Sequence, residues 1–408
     1  MNRPTLVLII LTILMFIFSP SITSAFGVGY GISMIQSCFV IALVSLCLSY
    51  PLRLFTSKQS LVLYTLCLYI ILLDVLVLGS LKPHSLYSLL SFSATLFIAT
   101  QIPILPFKDF KNSFAFLHKK RSLLIISSST ALITLLTSLT AYSFKNQSFL
   151  FFSEPSHFYI LMAPLISYTM LTANLVQFFL LLVLYLISFI LTPSLILIFI
   201  LFVSCLFRLL TYRTSSIFII KLRNLFVYPA LFLFSITSTT NIYITSRLFN
   251  YSENISTLVL IRSYQSFLFS LTNPYFGDSF GSGLLPQHFT SFWSQTALEL
   301  QSSGWVSTVD LSSLPGQLSL VFGSFGSLIA ILIFLLLGNF LFQISRYGFS
   351  NTDYFTKICY FAFLVSLSIG ALCSFVRFVG ISSPSFIYVL ICVFRPSKYF
   401  LFDTKLES

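Results

Sequence analysis

The sequence predicts an all-α membrane protein, a polytopic bundle of about twelve spanning helices. Hydrophobic residues make up 57% of the 408 positions and charged residues only 8%, whereas soluble globular proteins carry about 25% charged residues. The mean hydropathy is +0.97. The apolar runs are continuous and reach the length of about 20 residues that a helix needs to cross the hydrocarbon. Together these observations exclude a soluble globular chain.

Twelve apolar segments are long enough to be spans within a single integral membrane domain, residues 1–408. The first also resembles a signal peptide, because Arg3 precedes its apolar core and Thr23-Ser24-Ala25 follows it; we expect it to remain as an uncleaved helix. The spans are expected at residues 5–20, 30–50, 60–80, 86–106, 122–143, 157–172, 174–191, 194–211, 225–243, 318–343, 357–376 and 381–395.

The distribution of Lys and Arg residues over the predicted loops indicates which side of the membrane each loop faces. With the N-terminus in the cytoplasm, 17 of the 22 Lys and Arg residues fall on the inner side. An excess of cations in cytoplasmic segments is typical of membrane proteins. We therefore expect both termini inside and the segments 144–158 and 244–317 as outer loops. The net charge of +12 reflects this bias and is not a nucleic-acid signal.

The segment 244–317 is the longest connection and carries both Trp residues, Trp293 and Trp305. Residues 288–301 place Phe289, Trp293, Ala297 and Leu300 on one helical face. This spacing predicts an amphipathic helix lying in the outer membrane interface. Either it contributes to a substrate site or it is a structural lid.

Five cations are expected on the outer face, where topology disfavours them: Lys82, Lys145, Arg247, Arg262 and Arg377. Arginine binds phosphate or carboxylate with two parallel hydrogen bonds, so a lipid-linked diphosphate is a natural ligand. The alternative is that they form salt bridges with the five outer acids, which are Glu154, Glu253, Asp278, Glu299 and Asp310.

The segment 151–165 places Glu154, Pro155, Ser156 and His157 at the mouth of a span. One interpretation is a helix start, since Pro favours the first turn and an acid suits the helix dipole. The other is that Glu154 and His157 face a polar cavity as general base or hydrogen-bond partner for a sugar hydroxyl.

Asp74 lies in the middle of an apolar span and has two interpretations, a functional carboxyl group or a neutral packing residue. The seven Cys residues all sit in apolar stretches without metal-ligand spacing. We interpret them as apolar packing residues and expect no metal site.

Three segments resemble the bacterial O-antigen polymerases of the Wzy family, in the same order along the chain. FFSEPSHF at 151–158 is similar to the family's Glu-Pro-Ser motif. SRLFNYSENISTLVLIRSYQSFLFSLTNPYFGDSFGSGL is similar to its outer loop, with an Arg, an Asn-x-Ser and a Gly-rich turn. LSSLPGQLSLVFGSFGSL resembles its return into the membrane, with G-x-x-G. The resemblance covers roughly residues 145–340.

The chain departs from the pattern at two points. The family often has an Arg shortly before the Glu-Pro-Ser motif, whereas the nearest cation here is Lys145. The related O-antigen ligases carry a His in the outer loop before the G-x-x-G span, where this chain has Asp310 and Ser313. The second departure favours a polymerase over a ligase.

The resemblance implies a metal-independent glycosyltransferase without a cofactor, in the bacterial inner membrane with its active site facing the periplasm. It implies undecaprenyl-diphosphate-linked oligosaccharides as substrates, membrane lipid as surroundings, a chain-length regulator as a possible protein partner, and no nucleic acid. The expected catalytic residues are Glu154, His157, Arg247 and Arg262, and the expected substrate-binding residues are Lys145, Arg377, Asn254, Gly277, Gly281, Gly283 and Asp310.

Two other classes remain open. A lipid-linked oligosaccharide flippase also has about twelve helices, but it should show two similar halves around a charged cavity, and no such duplication is visible here. A structural subunit of a membrane complex would not need outer-face charges around a cavity.

Overall fold

The computed structural model describes residues 58–77, 79, 89–90, 92–93, 95–96, 120–143, 155–211, 255–274, 276–277, 313–347, 354–377 and 385–394. All regular structure in this part of the chain is helical. The helices with defined bounds are α1 (Lys58–Val77), α2 (Lys120–Ser143), α3 (Pro155–Thr172), α4 (Leu175–Leu191), α5 (Leu195–Thr211), α6 (Ile255–Thr272), α7 (Leu314–Tyr347), α8 (Tyr354–Val376) and α9 (Phe386–Phe394).

Three stretches are long and apolar enough to cross a membrane: Arg121–Tyr142 in α2, Leu314–Phe342 in α7 and Cys359–Val376 in α8. On α7, Leu328, Leu332 and Leu335 are exposed at helical spacing, as expected of a face turned toward lipid. The protein is therefore an all-helical membrane protein in its described part. The number of twelve spans and the sidedness of the loops stay predictions.

Eight predicted spans coincide with helices, namely α1 to α5 and α7 to α9. The predicted spans 5–20, 30–50 and 225–243 lie outside the described residues, and the described residues of 86–106 are helical. Helix α6 lies within the segment 244–317, for which the sequence predicted a helix only at 288–301. That range is outside the described residues.

The described helices belong to two compact units. The first unit contains α1, α6, α9 and residues 314–338 of α7, and the second contains α2 to α5. Helices α7 and α8 contribute residues to both units.

In the second unit, α3 packs against α5 and α2 packs against α4. The connection between α3 and α4 is as short as predicted. Asn174 caps α4, because its side chain accepts a hydrogen bond from the Gln177 backbone N–H at 2.8 Å while the Gln177 side chain accepts from the Asn174 N–H at 3.2 Å. This reciprocal capping box starts a new helix one residue after the turn.

Arg208 of α5 binds the end of α3 that precedes this turn. Its guanidinium donates hydrogen bonds to the carbonyl oxygens of Met170 at 2.5 Å and Ala173 at 2.7 Å, and it lies 4.4 Å from the ring centroid of Phe178. A cation at a helix C-terminus satisfies carbonyls that have no partner within the helix and complements the helix dipole. Arg208 thus fixes the end of α3 to α5.

Helix α2 carries hydroxyl groups that bond within the helix. Thr130 donates to the carbonyl of Ile126 at 2.8 Å, Thr134 to that of Thr130 at 2.8 Å, and Ser138 to that of Thr134 at 3.0 Å. Such bonds to the preceding turn satisfy a hydroxyl without a second helix.

In the first unit, α6 lies along α7 through three serine pairs. Ser263 and Ser313 hydroxyls are 2.6 Å apart, Ser266 and Ser319 hydroxyls are 3.1 Å apart, and Ser270 pairs with Ser327. Small residues let membrane helices approach closely, and hydroxyls across the interface add hydrogen bonds. We call these six residues the serine ladder.

Ser313 also starts α7, because its hydroxyl accepts a hydrogen bond from the Gly316 N–H at 3.2 Å. Pro315 in the first turn lacks only a donor that the helix does not use there. This cap explains why α7 begins four residues before the predicted span.

We predict that Gly316→Ala weakens the packing of α6 on α7. A Cβ atom at Gly316 meets the Ser263 hydroxyl and lies 2.6 Å from the Ser263 carbonyl oxygen, so the helices must separate. Overpacking of this kind costs about 1–3 kcal/mol, and the melting temperature of the detergent-solubilised protein should fall. Gly338→Ala is the matched control on the same helix, since nothing lies within 4 Å of its added Cβ. Equal melting temperatures for the two variants would contradict the close approach.

Candidate functional site

The mouth of α3 is the part of the Glu-Pro-Ser segment that the structure describes. Pro155 is the first residue of the helix, and Ser156 and His157 lie half-buried in its first turn. Pro at the first helical position is pre-organised for a helix start. Glu154 directly precedes α3 and lies outside the described residues. A helix starts at this segment, as the sequence predicted. That this helix spans the membrane, and the roles of Glu154 and His157, stay predictions.

Tyr159 anchors this helix start, two residues after His157. Its hydroxyl lies 3.1 Å from that of Ser138 on α2 and 2.9 Å from that of Thr192, which caps the end of α4. The Thr192 hydroxyl is itself 3.1 Å from that of Ser138. All three residues are buried. Because buried polar groups must find partners, this hydroxyl triangle holds the first turn of α3 against α2 and the end of α4.

The backbone of Arg262 lies in α6, the helix that the serine ladder holds against α7. Arg262 is adjacent in sequence to Ser263, the first rung. Ser263, Ser266 and Ser270 are all buried, so one face of α6 is fixed by its partners on α7. The ladder thereby fixes the rotation of the helix that carries Arg262.

Gly277 follows α6 at close distance from the backbone of α7. It has φ of 95° and is buried, and a Cβ there meets the Val321 carbonyl oxygen and lies 2.7 Å from the Gly323 nitrogen. Only glycine adopts this conformation readily and leaves room for the approach. Contact with α7 thus accounts for a glycine at this position, and its contact with a glycan stays a prediction.

Helix α7 is interrupted where Gly277 approaches it. Gly323 has φ of 60° and ψ of −140° between two helical stretches, a conformation open essentially to glycine alone. Ser324 donates from its hydroxyl to the carbonyl of Asn273 at 3.1 Å, which joins the interruption to the end of α6. Gly323 and Gly326 are the two glycines of the G-x-x-G pattern, so the pattern marks a break in an apolar helix.

Tyr69 of α1 packs against the break in α7 and the segment that follows α6. Its hydroxyl donates to the carbonyl of Phe276 at 2.6 Å, and its ring centroid lies 5.9 Å from the ring centroids of both Phe322 and Phe325. The Tyr69 side chain therefore contacts both the segment after α6 and the break in α7.

Arg377 directly follows α8 and is half-buried. The side chain of Arg262 and all atoms of the remaining predicted site residues lie outside what the structure describes, namely Lys145, Glu154, Arg247, Asn254, Gly281, Gly283 and Asp310. Within the described residues, no group of His, Cys, Asp and Glu side chains is arranged to hold a metal ion.

The sequence prediction missed the serine ladder and the break in α7. Ser263, Ser266 and Ser270 recur at intervals of three and four residues in an otherwise apolar stretch, which is the spacing of one helical face. That spacing is the signal for α6. The G-x-x-G pattern was noted only as part of a resemblance, although paired glycines in an apolar helix also indicate a kink.

Comparisons with protein-family models, with curated proteins and with solved structures gave no match for this chain.

We predict that Tyr159→Phe lowers the free energy of unfolding by about 1 kcal/mol, because it removes one hydroxyl from a buried network whose other members keep backbone acceptors. The loss should appear as a lower melting temperature in detergent. Tyr142→Phe is the matched control, since Tyr142 is 64% exposed on α2. If both variants melt alike, the hydroxyl triangle does not hold the start of α3.

Proposed function

We propose that this chain is an O-antigen polymerase, a membrane glycosyltransferase that joins undecaprenyl-diphosphate-linked repeat units into a polysaccharide at the periplasmic face of the bacterial inner membrane. The observation that carries the proposal is the ordered resemblance of three segments to the Wzy family. Two of those segments supply α6 and the start of α7, and they pack together through the serine ladder. The third contains the start of α3.

In the proposed reaction, a hydroxyl of the acceptor repeat unit attacks C1 of the sugar that carries the undecaprenyl diphosphate. A glycosidic bond forms, the bond from C1 to the diphosphate oxygen breaks, and the diphosphate leaves with that electron pair. The hydroxyl proton passes to the Glu154 carboxylate, and His157 provides a hydrogen bond beside it. Correctly placed bases of this kind raise rates by about 10²–10⁴.

The leaving diphosphate gains negative charge as the bond breaks, so its stabilisation requires cations. Arg247 and Arg262 are proposed to bind it, with Lys145 and Arg377 in support. Arg262 suits this role because the buried serine ladder holds its helix in place. Asn254, Gly277, Gly281, Gly283 and Asp310 are proposed to contact the glycan, and a chain-length regulator is the proposed protein partner.

We predict that Glu154→Gln shortens the glycan while leaving the protein in the membrane at its normal amount. The variant keeps shape and polarity but removes the basic carboxylate, so polymerisation should fall by about 10²–10⁴. Glycan ladders should collapse to a single repeat unit on lipid A, since a separate ligase still transfers unpolymerised units. Glu299→Gln serves as a matched control among the predicted outer acids.

A normal ladder from Glu154→Gln at normal abundance would remove Glu154 from the reaction. A complete loss of surface repeat units, single units included, would instead indicate failed transport of the lipid-linked unit and favour the flippase alternative.

We predict that Arg262→Ala abolishes long glycan chains, because the developing diphosphate charge loses its bidentate partner. Arg262→Lys should restore only part of the polymer, since an ammonium group cannot form the paired hydrogen bonds. Lys82→Ala is the matched control, a predicted outer cation without an assigned role. Ladders are compared at equal membrane abundance. Long chains in both Arg247→Ala and Arg262→Ala would show that these residues do not hold the diphosphate.

A further inference from the structure

Asp74 is a carboxyl group enclosed in the protein interior on an apolar helix. It is 0% exposed and lies within the apolar stretch Thr65–Leu76 of α1. Leu68, Leu72 and Leu76 are exposed on the opposite side of the same helix. The carboxyl group therefore points away from the lipid-facing side of α1 and into the first unit.

The two oxygen atoms of this carboxyl group have no hydrogen-bond partner among the described residues. A buried carboxylate without a partner is costly, because the interior cannot replace the water that it loses. Intramembrane acids are accordingly rare and tend to face cations, cavities or ion paths.

Among the described residues, the segments shown to contact α1 supply no counter-charge. Tyr69 and Cys67 of α1 contact Phe276, Ser93 and the aromatic residues at the break in α7. The described residues of 89–96, residues 276–277 and residues 314–338 contain no Asp, Glu, Lys, Arg or His. On α1 itself, Lys58 is about 24 Å away along the helix axis at 1.5 Å per residue.

We propose that Asp74 is a binding site for a small monovalent cation, H⁺ or Na⁺, within the membrane interior. A cation of this kind supplies the positive charge that the described contacting side chains lack. It also fits a carboxyl group that is fully enclosed by protein. The site goes beyond the proposed glycosyl transfer, which uses no residue of α1.

The test is the reaction of Asp74 with dicyclohexylcarbodiimide in native membranes containing the full chain. The carboxyl O–H adds across a C=N bond of the reagent, and the resulting O-acylisourea rearranges to a stable N-acylurea, so no atom leaves and no oxidant is needed. Mass spectrometry locates the adduct. We expect it at Asp74 in the unaltered chain and in the matched control Asp353→Asn, and we expect none in Asp74→Asn.

Two series identify the cation. If labelling falls at least several-fold when Na⁺ replaces choline at fixed pH, Na⁺ occupies the site. If Na⁺ has no effect and labelling falls as the pH rises, the proton is the ligand. Absence of labelling at every pH, or labelling indifferent to both Na⁺ and pH, would overturn the proposal.

Melting temperatures provide a second measurement that does not depend on reagent access. If Asp74 binds a cation, raising the concentration of that cation should raise the melting temperature of the unaltered chain and leave that of Asp74→Asn unchanged. If a cationic side chain from another part of the chain pairs with Asp74, the unaltered chain and the Asn variant should respond alike to Na⁺ and to pH. Equal responses of the two chains would show that the proposal is wrong.

Discussion

Serine and glycine residues let two helices of the first unit meet at backbone distance, and the arrangement of that unit depends on this approach. Apolar side chains give membrane helices little preference for each other over lipid, so close packing and interhelical hydrogen bonds decide which helices associate. The serine ladder provides both between α6 and α7. Gly277 then approaches the break at Gly323, and Tyr69 of α1 closes over the same point.

In the second unit, polar contacts hold the two ends of α3. Tyr159 ties the first turn to Ser138 and Thr192 through hydroxyls, while Arg208 satisfies the carbonyls at the last turn. Helix ends are where backbone groups lack partners, and in an apolar environment such groups must be satisfied by protein. The segment that begins with the Glu-Pro-Ser pattern is therefore held at both ends by buried polar contacts.

The helix positions were predictable because long apolar runs specify them locally. The turn at Asn174 was also predictable, since a capping residue between two apolar runs starts a helix wherever it occurs. The partners of α6 were not, because Ser263 and Ser313 are 50 residues apart and no local pattern pairs them. Gly323 shows the same limit, since a glycine pattern indicates where a helix can break but not which segment fills the break. The predicted site lies mostly in connecting segments, where hydropathy carries little information about geometry.

The hydroxyl bonds inside α2 bear on how the chain enters the bilayer during synthesis. Thr130, Thr134 and Ser138 donate to carbonyls of their own helix, so these groups need no neighbour when the helix first leaves the translocation machinery. A hydroxyl that is satisfied in this way adds little to the cost of insertion. Helix α2 can thus partition into lipid alone, and Tyr159 can join Ser138 later, once α3 has formed.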